Sequence, residues 1–319
     1  MATADQIRNL VKAYCSHDDE QFKTIVLQIA AHEAKLGHSS LAQELKKLIS
    51  TVKTSGTGVY RIPNQNPMLH FSTPSVKFSE LIASDTVTNK IHRILVEYRN
   101  KNKLYASSLS NRRKILLEGP PGTGKTLSAS IIASELSMPL FTVQVDKLVT
   151  KFMGETSVHL RQIFDSIASD VGVYLFDEFD AIGADRSLDN EVGEMRRILN
   201  SFLQFIEADT SESIILAATN NQRILDKALF RRFDDVIHYE LPDEKQIRKL
   251  FEFKLDGFID DGVCNSDVIM AAQGLSHAEL TIVADNAIKE SILFDTIIDS
   301  SLLISLLDER HRIYTGKEA

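Results

Sequence analysis

Lys114-Ile115-Leu116-Leu117-Glu118 runs directly into Gly119-Pro120-Pro121-Gly122-Thr123-Gly124-Lys125-Thr126, and this stretch decides the fold. The first five residues form a short apolar run that reads as a buried strand. From Leu127 to Leu136, Ala129, Ile131, Ile132, Ala133 and Leu136 recur at helical spacing. Between strand and helix the pattern Gly-x-x-x-x-Gly-Lys-[Ser/Thr] is met in full. Glycines here let successive backbone N–H groups turn toward an anion at the positive end of the helix. Lys125 is expected to reach the outer phosphates of a nucleoside triphosphate, and Thr126 to offer its hydroxyl to Mg²⁺. The expected cofactor-binding run is therefore Gly119 to Leu127.

Further strands follow at the spacing of a parallel sheet: Leu140–Val145, Val171–Phe176, Ser213–Ala218 and Asp235–Tyr239, with helical patterns between most of them. Together with Lys114–Glu118 they predict a five-stranded parallel sheet covered by helices on both faces. Val171–Phe176 ends in Asp177-Glu178, two acids facing one crevice. In phosphate-loop ATPases the first such acid helps hold Mg²⁺ and the second polarises the attacking water. A solvated strand end is the bland alternative, and the phosphate loop upstream argues against it. The next strand closes in Ala218-Thr219-Asn220, whose amide can hydrogen-bond the attacking water or the γ-phosphate. Arg231 and Arg232 follow, flanked by Phe230 and Phe233. Exposed arginines are usually only solvated, but a guanidinium delivered by a neighbouring subunit neutralises charge in the transition state.

Composition sets outer limits. The chain has 319 residues, 43% hydrophobic and 25% charged, which is ordinary for a folded globular protein with room for more than one domain. A formal net charge of −8 argues against broad nucleic-acid binding and makes a polypeptide partner the easier expectation. Cys15 and Cys264 are far apart, so neither a disulfide framework nor a structural zinc site is expected, and a reducing cytoplasm fits. Neither a secretory leader nor a membrane-inserting run is read from the sequence.

Residues 1–52 read as a small helical bundle, with stripes at Ile7, Leu10, Val11 and Tyr14, at Phe22, Ile25, Val26 and Ile29, and at Leu41, Leu45 and Leu48. His17, His32 and His38 lack the companions of a metal site and read as surface or packing residues. Residues 53–75, rich in Gly, Pro, Ser and Thr, read as a linker. Residues 76–240 carry the sheet. From 241 to 319 the strands stop, and helical patterns at Glu244–Leu255, Ser266–Ala272, His277–Phe294 and Ser300–Tyr314 predict a helical lid.

With these residues in place, the chain from about 76 to 315 resembles the AAA family of ring-forming ATPases. Gly119–Thr126 looks like its Walker A loop, Val173–Glu178 its Walker B strand, Thr219-Asn220 its sensor 1, and Arg231 with Arg232 its arginine fingers acting between subunits. Gly274-Leu275-Ser276-His277-Ala278-Glu279-Leu280 resembles the Gly-x-Ser-Gly-Ala-Asp-Leu lid motif of the protein-remodelling branch. The likeness places His277 and Ala278 at the cofactor, while His277 replaces a glycine and Glu279 an aspartate, departures that bear on base or ribose contact. No arginine stands at the sensor 2 position of clamp loaders. Lys151, Phe152 and Met153 resemble the aromatic pore loop that grips an unfolded polypeptide; an anchor for its own loop is the structural alternative. Residues 184–191 fall where a second pore loop would lie, or form a solvated loop.

The resemblance implies ATP and ADP as cofactors with Mg²⁺, hydrolysis of ATP, and a homo-oligomeric, hexameric ring remodelling a protein substrate recruited by residues 1–52. The order of domains is similar both to microtubule-severing and membrane-remodelling relatives and to compact bacterial AAA proteins, some of which accompany a peptidase. Two rivals stay open: a nucleotide-dependent switch that docks on a partner such as a peptidase, and a nucleic-acid-dependent ATPase.

Overall fold

The computed structural model describes residues 66–143, 155–179, 189–220, 231–260 and 262–315, with Arg8, 25–30, His32, Glu33, His38 and Gln43 nearer the N-terminus. The chain divides into two compact units, residues 1–62 and 63–319. In the first, 25–30 are helical, with Ile25, Val26, Ile29 and Ala30 buried and Leu27 and Gln28 exposed. That is the apolar stripe expected of an amphipathic helix. His38 Nδ1 lies 2.7 Å from the buried Glu33 carboxylate. The rest of the expected bundle and residues 53–65 of the expected linker lie outside the described residues.

The second unit is built on strands β1 (Leu69–Ser72), β2 (Lys114–Glu118), β3 (Leu140–Val143), β4 (Val173–Phe176), β5 (Ile214–Thr219) and β6 (Asp235–His238). They form one six-stranded sheet in the order β1-β3-β4-β5-β2-β6. β2 to β6 pair in parallel, as five strands were expected to; β1 joins β3 antiparallel and corrects the strand count. β1 falls inside the stretch read as a linker. It is an edge strand of four residues between Pro67 and Pro74, where prolines are tolerated because one side of the ladder faces no partner. Met68 anchors it in the core, and Phe71 meets Phe141 with ring centroids 5.6 Å apart.

Helices α1 (Asp85–Arg99), α2 (Lys101–Ala106), α3 (Lys125–Glu135), α4 (Glu155–Ser169) and α5 (Asp189–Ala208) belong to the same layer system. α1 starts at the Ser84 cap, and its Val87, Ile91, Ile94 and Leu95 are buried at helical spacing. Because β2, β4 and β5 are covered on both faces, they are nearly continuous apolar runs. Leu116, Phe141, Tyr174, Phe176 and Ala217 pack with α4 and α5 on one face. Ile115, Leu117, Leu175, Leu216 and Ile237 pack with α1 and α3 on the other.

The lid is helical as expected: α6 (Glu244–Lys254), α7 (Ser266–Ala272), α8 (His277–Phe294) and α9 (Ser300–Thr315). Its start signals are side-chain caps, with Asp243 accepting from Gln246 N and Asn265 from Val268 N. Ile247, Phe251, Val268, Leu280, Leu303 and Leu307 close a separate lid core. Among the described residues no helix is long and apolar enough to cross a membrane.

Candidate active site

The strand–loop–helix unit places the glycine loop at the carboxyl edge of the sheet, where parallel α/β folds open a crevice. Gly119 N donates to Thr219 O at 3.3 Å, tying the start of the loop to β5. A Cβ on Gly119 would lie 2.3 Å from the Tyr239 carbonyl oxygen, so no larger residue fits there. Behind the loop runs a buried relay: Tyr239 Oη donates to Ser128 Oγ at 2.8 Å, and Ser128 Oγ donates to Gly124 O at 2.9 Å. Thr123 Oγ1 donates to Pro120 O at 2.7 Å and holds the turn. Glu118 is buried next to the loop, and burial pushes its carboxyl up against the opposing influence of His238, whose Nδ1 is 3.0 Å away.

A cavity of about 380 Å³ opens over this loop, within the range of roughly 300–1,000 Å³ common for small-molecule sites. Pro121, Gly122, Gly124, Lys125, Thr126 and Leu127 line one side. Asp177, Glu178 and Asn220 come from the ends of β4 and β5, and His277, Ala278 and Thr281 from α8. Gly119, Pro120 and Thr123, also expected at the cofactor, are not among the residues that line this cavity. Thr281 was missed by sequence reasoning; its one signal is that it lies four residues after His277 on the same helical face.

Lys125 Nζ donates to the carbonyls of Gly119 at 2.7 Å and Pro120 at 2.8 Å. Thr126 Oγ1 donates to Asp177 Oδ2 at 2.7 Å. A hydroxyl and a carboxylate oxygen thus converge at the mouth of the loop, the hard oxygen donors that suit Mg²⁺ when phosphates complete its shell. The open glycine cradle and the lysine beside it fit a phosphate chain equally well. Glu178 is exposed beside Asp177 with φ 49°, and its N–H donates to Asp177 Oδ1 at 2.9 Å. A glutamate in the left-handed region is uncommon and costs about 1–3 kcal/mol, a strain that tends to gather at active sites.

The lid touches the loop directly. Ala278 N donates to Gly122 O at 3.0 Å. Ser276 caps α8 by accepting from Glu279 N at 3.4 Å, while Glu279 Oε2 accepts from Ser276 N at 2.6 Å. Glu279, which stands where the resembling motif has aspartate, therefore completes a capping box. Gly122 has φ +72°, and a Cβ there would lie 2.5 Å from Ser276 Oγ and 3.1 Å from Ala278 Cβ. Gly122→Val is accordingly expected to lower stability by about 1–3 kcal/mol through overpacking, read as an earlier urea midpoint. An unchanged midpoint would contradict this close approach.

Arg231 is exposed, and the Arg232 guanidinium lies against the Glu207 carboxylate on α5. Neither lines the cavity of its own chain. Lys151, Phe152 and Met153 lie outside the described residues, immediately before α4. Of the second expected pore segment, 184–188 also lie outside them, while Asp189, Asn190 and Glu191 open α5.

Sheet order, glycine loop and paired acids together define a phosphate-loop nucleoside triphosphatase fold. Residues 115–241 match the model of the ATPase family associated with various cellular activities (AAA). An uncharacterized AAA family ATPase of Sinorhizobium fredii, y4kL, is 33% identical over 306 residues, covering 92% of this chain and 90% of the relative. The chain belongs to the AAA family of ATPases. It is also similar to a putative 26S proteasome regulatory subunit homolog of Methanocaldococcus jannaschii, at 29% identity over 65% of this chain and 57% of the relative. An ATP-dependent zinc metalloprotease FtsH 1 of Methylacidiphilum infernorum is 30% identical over 76% of this chain and 39% of its own length. The chain thus spans only part of these longer relatives.

Proposed function

We propose that the chain hydrolyses ATP in this cavity as one subunit of a ring, a hexamer in our reading, that remodels a protein substrate. The observation that carries the chemistry is the convergence of Lys125, Thr126, Asp177, Glu178 and Asn220 on one cavity from three neighbouring strand ends. In this reading the loop amides and Lys125 hold the phosphates, the ammonium leaving the Gly119 and Pro120 carbonyls to do so. Thr126 and Asp177 would hold Mg²⁺, which supplies charge neutralisation on the phosphates. Glu178 takes a proton from the attacking water, and the Asn220 amide orients that water or the γ-phosphate. His277 and Ala278 close the lid side. Arg231 and Arg232, which lie off their own cavity, serve the neighbouring protomer's nucleotide.

The protein substrate is inferred from kinship with relatives named as a proteasome regulatory subunit homolog and an ATP-dependent protease. We assign recruitment to residues 1–52, ahead of an ATPase layer that runs to residue 240 and takes in β1 of the expected linker, and of the lid 241–319. A cytoplasmic location agrees with this reading, and no specific nucleic acid is required by it. The rival is a switch in which ATP creates a docking surface for a partner such as a peptidase. Phe152 separates the two. If the chain threads polypeptide, Phe152→Ala should keep ATP turnover within about threefold and lose unfolding of a tagged substrate by about tenfold or more, since an aromatic grip works by surface contact. Retained partner-dependent work in that variant would favour the switch.

A further inference from the structure

Behind the glycine loop, Tyr239, directly after β6, meets Ser128 in the first turn of α3. Both are buried, and Tyr239 packs in one core with Leu117, Ile131 and Ile237. Packing alone calls for neither hydroxyl: apolar side chains of similar shape at both positions would be near neutral for stability, whereas a buried hydroxyl needs a partner. Here the two hydroxyls point one way. Tyr239 Oη donates to Ser128 Oγ at 2.8 Å, and Ser128 Oγ donates onward to Gly124 O at 2.9 Å. Burial pushes the pKa of the Tyr239 hydroxyl up, so it stays protonated and remains the donor.

The relay ends on the peptide group that joins the loop to α3. Gly124 is the N-cap of α3, at φ +98°, and its carbonyl also accepts from Ser128 N at 2.9 Å. Gly124 C=O and Lys125 N–H belong to one planar, resonant amide. Donors on the oxygen draw electron density from the nitrogen and make the N–H the stronger donor, successive bonds in such a series strengthening one another by about 10–30%. That N–H lies in the first helical turn, where amides have no acceptor within the helix and point toward an anion at its end. In the site proposed above it is one of the loop amides that take the phosphates. Tyr239 is itself fixed to the start of the loop. Its N donates to Glu118 O at 2.6 Å, and a Cβ on Gly119 would lie 2.3 Å from its carbonyl oxygen. One side chain thus ties the first glycine of the loop to the last.

We propose that Tyr239, acting through Ser128, is a positioning residue for phosphate binding: it polarises and aligns the Gly124–Lys125 amide, so that this N–H holds the phosphates of the nucleotide more tightly. This rests on the reading of the cavity as a nucleotide site.

The test measures calorimetric binding of pyrophosphate and ADP to the full chain, to Tyr239→Phe, and to a chain with a ring-fluorinated tyrosine placed at position 239 by stop-codon suppression. Phenylalanine keeps the ring and removes the donor; fluorine keeps the shape and makes the hydroxyl a stronger donor, which burial holds protonated. Tyr239→Phe is expected to weaken both ligands by the same factor, about twofold to fivefold, through lost strengthening of an amide–phosphate bond. The fluorinated chain should bind both more tightly than the unaltered one. Ser128→Ala, which cuts the relay at its middle, should give a loss like that of Tyr239→Phe, and combining the two should cost no further affinity. Unchanged affinities in Tyr239→Phe, a loss for ADP alone, or additive losses in the double variant overturn the proposal. So does a loss in Tyr239→Phe without tightening in the fluorinated chain, which would make the hydroxyl a packing group only. The fluorinated comparison deletes nothing, so it decides the matter even if Tyr239→Phe folds poorly. Failure of the unaltered chain to bind either ligand would instead overturn the nucleotide-site reading beneath it.

Discussion

Glu178→Gln is expected to bind ATP about as tightly as the unaltered chain and to hydrolyse it about 10² to 10⁴ times more slowly, the usual range for loss of a general base. The substitution keeps the shape and removes only the proton acceptor. Binding is expected to survive because the groups that would hold the phosphates and metal are elsewhere: Lys125 on the loop, and Thr126 paired with Asp177 at 2.7 Å. The backbone of Glu178 is fixed by its own N–H bond to Asp177 Oδ1, so glutamine at this position should inherit the same placement. Phosphate release measured alongside calorimetric ATP binding separates the two effects. Turnover within threefold of the unaltered chain would remove Glu178 from the reaction. Binding lost together with turnover would mean that the carboxylate holds the ligand instead.

The second large effect concerns Arg231 and Arg232. Replacing both by alanine is expected to cost about 10³ to 10⁵ in turnover, the range for a guanidinium that neutralises transition-state charge. The loss should come without a comparable change in ADP affinity, since neither arginine lines its own chain's cavity. Within one chain the Arg232 guanidinium lies against the Glu207 carboxylate, and neither residue is among the described residues that line the cavity. If its main work were that ion pair, which is partly exposed and worth on the order of 1 kcal/mol or less, alanine would shift stability slightly and leave chemistry alone. Those outcomes differ by orders of magnitude in rate.

The parts legible in the sequence were those in which chemistry and local structure impose the same residues. The glycine loop could be read because a strand, a glycine turn and a helix occur in the one order that cradles an anion. The lid helices could be read because Asp243, Asn265 and Ser276 stand before periodic apolar runs, and all three act as caps. β1 was hidden because four residues on a sheet edge carry no periodicity, and their partner β3 is some seventy residues away. In the candidate site, composition could not show that Lys125 rests on two loop carbonyls or that Glu279 is held in a capping box. Nor could it show that Tyr239 reaches Ser128 behind the loop. Each depends on distances between segments brought together only by folding.

The central claim is that half of each working site comes from a second copy of the chain. It is tested by mixing Lys125→Ala chains, which retain the arginines, with Arg231→Ala/Arg232→Ala chains, which retain the loop. Each parent alone should be nearly inactive, and the mixture should hydrolyse ATP about tenfold or more faster than the sum of its parents, because some junctions then combine an intact loop with intact arginines. A mixture no faster than that sum, under conditions where the chains are shown to co-assemble, would contradict a shared site.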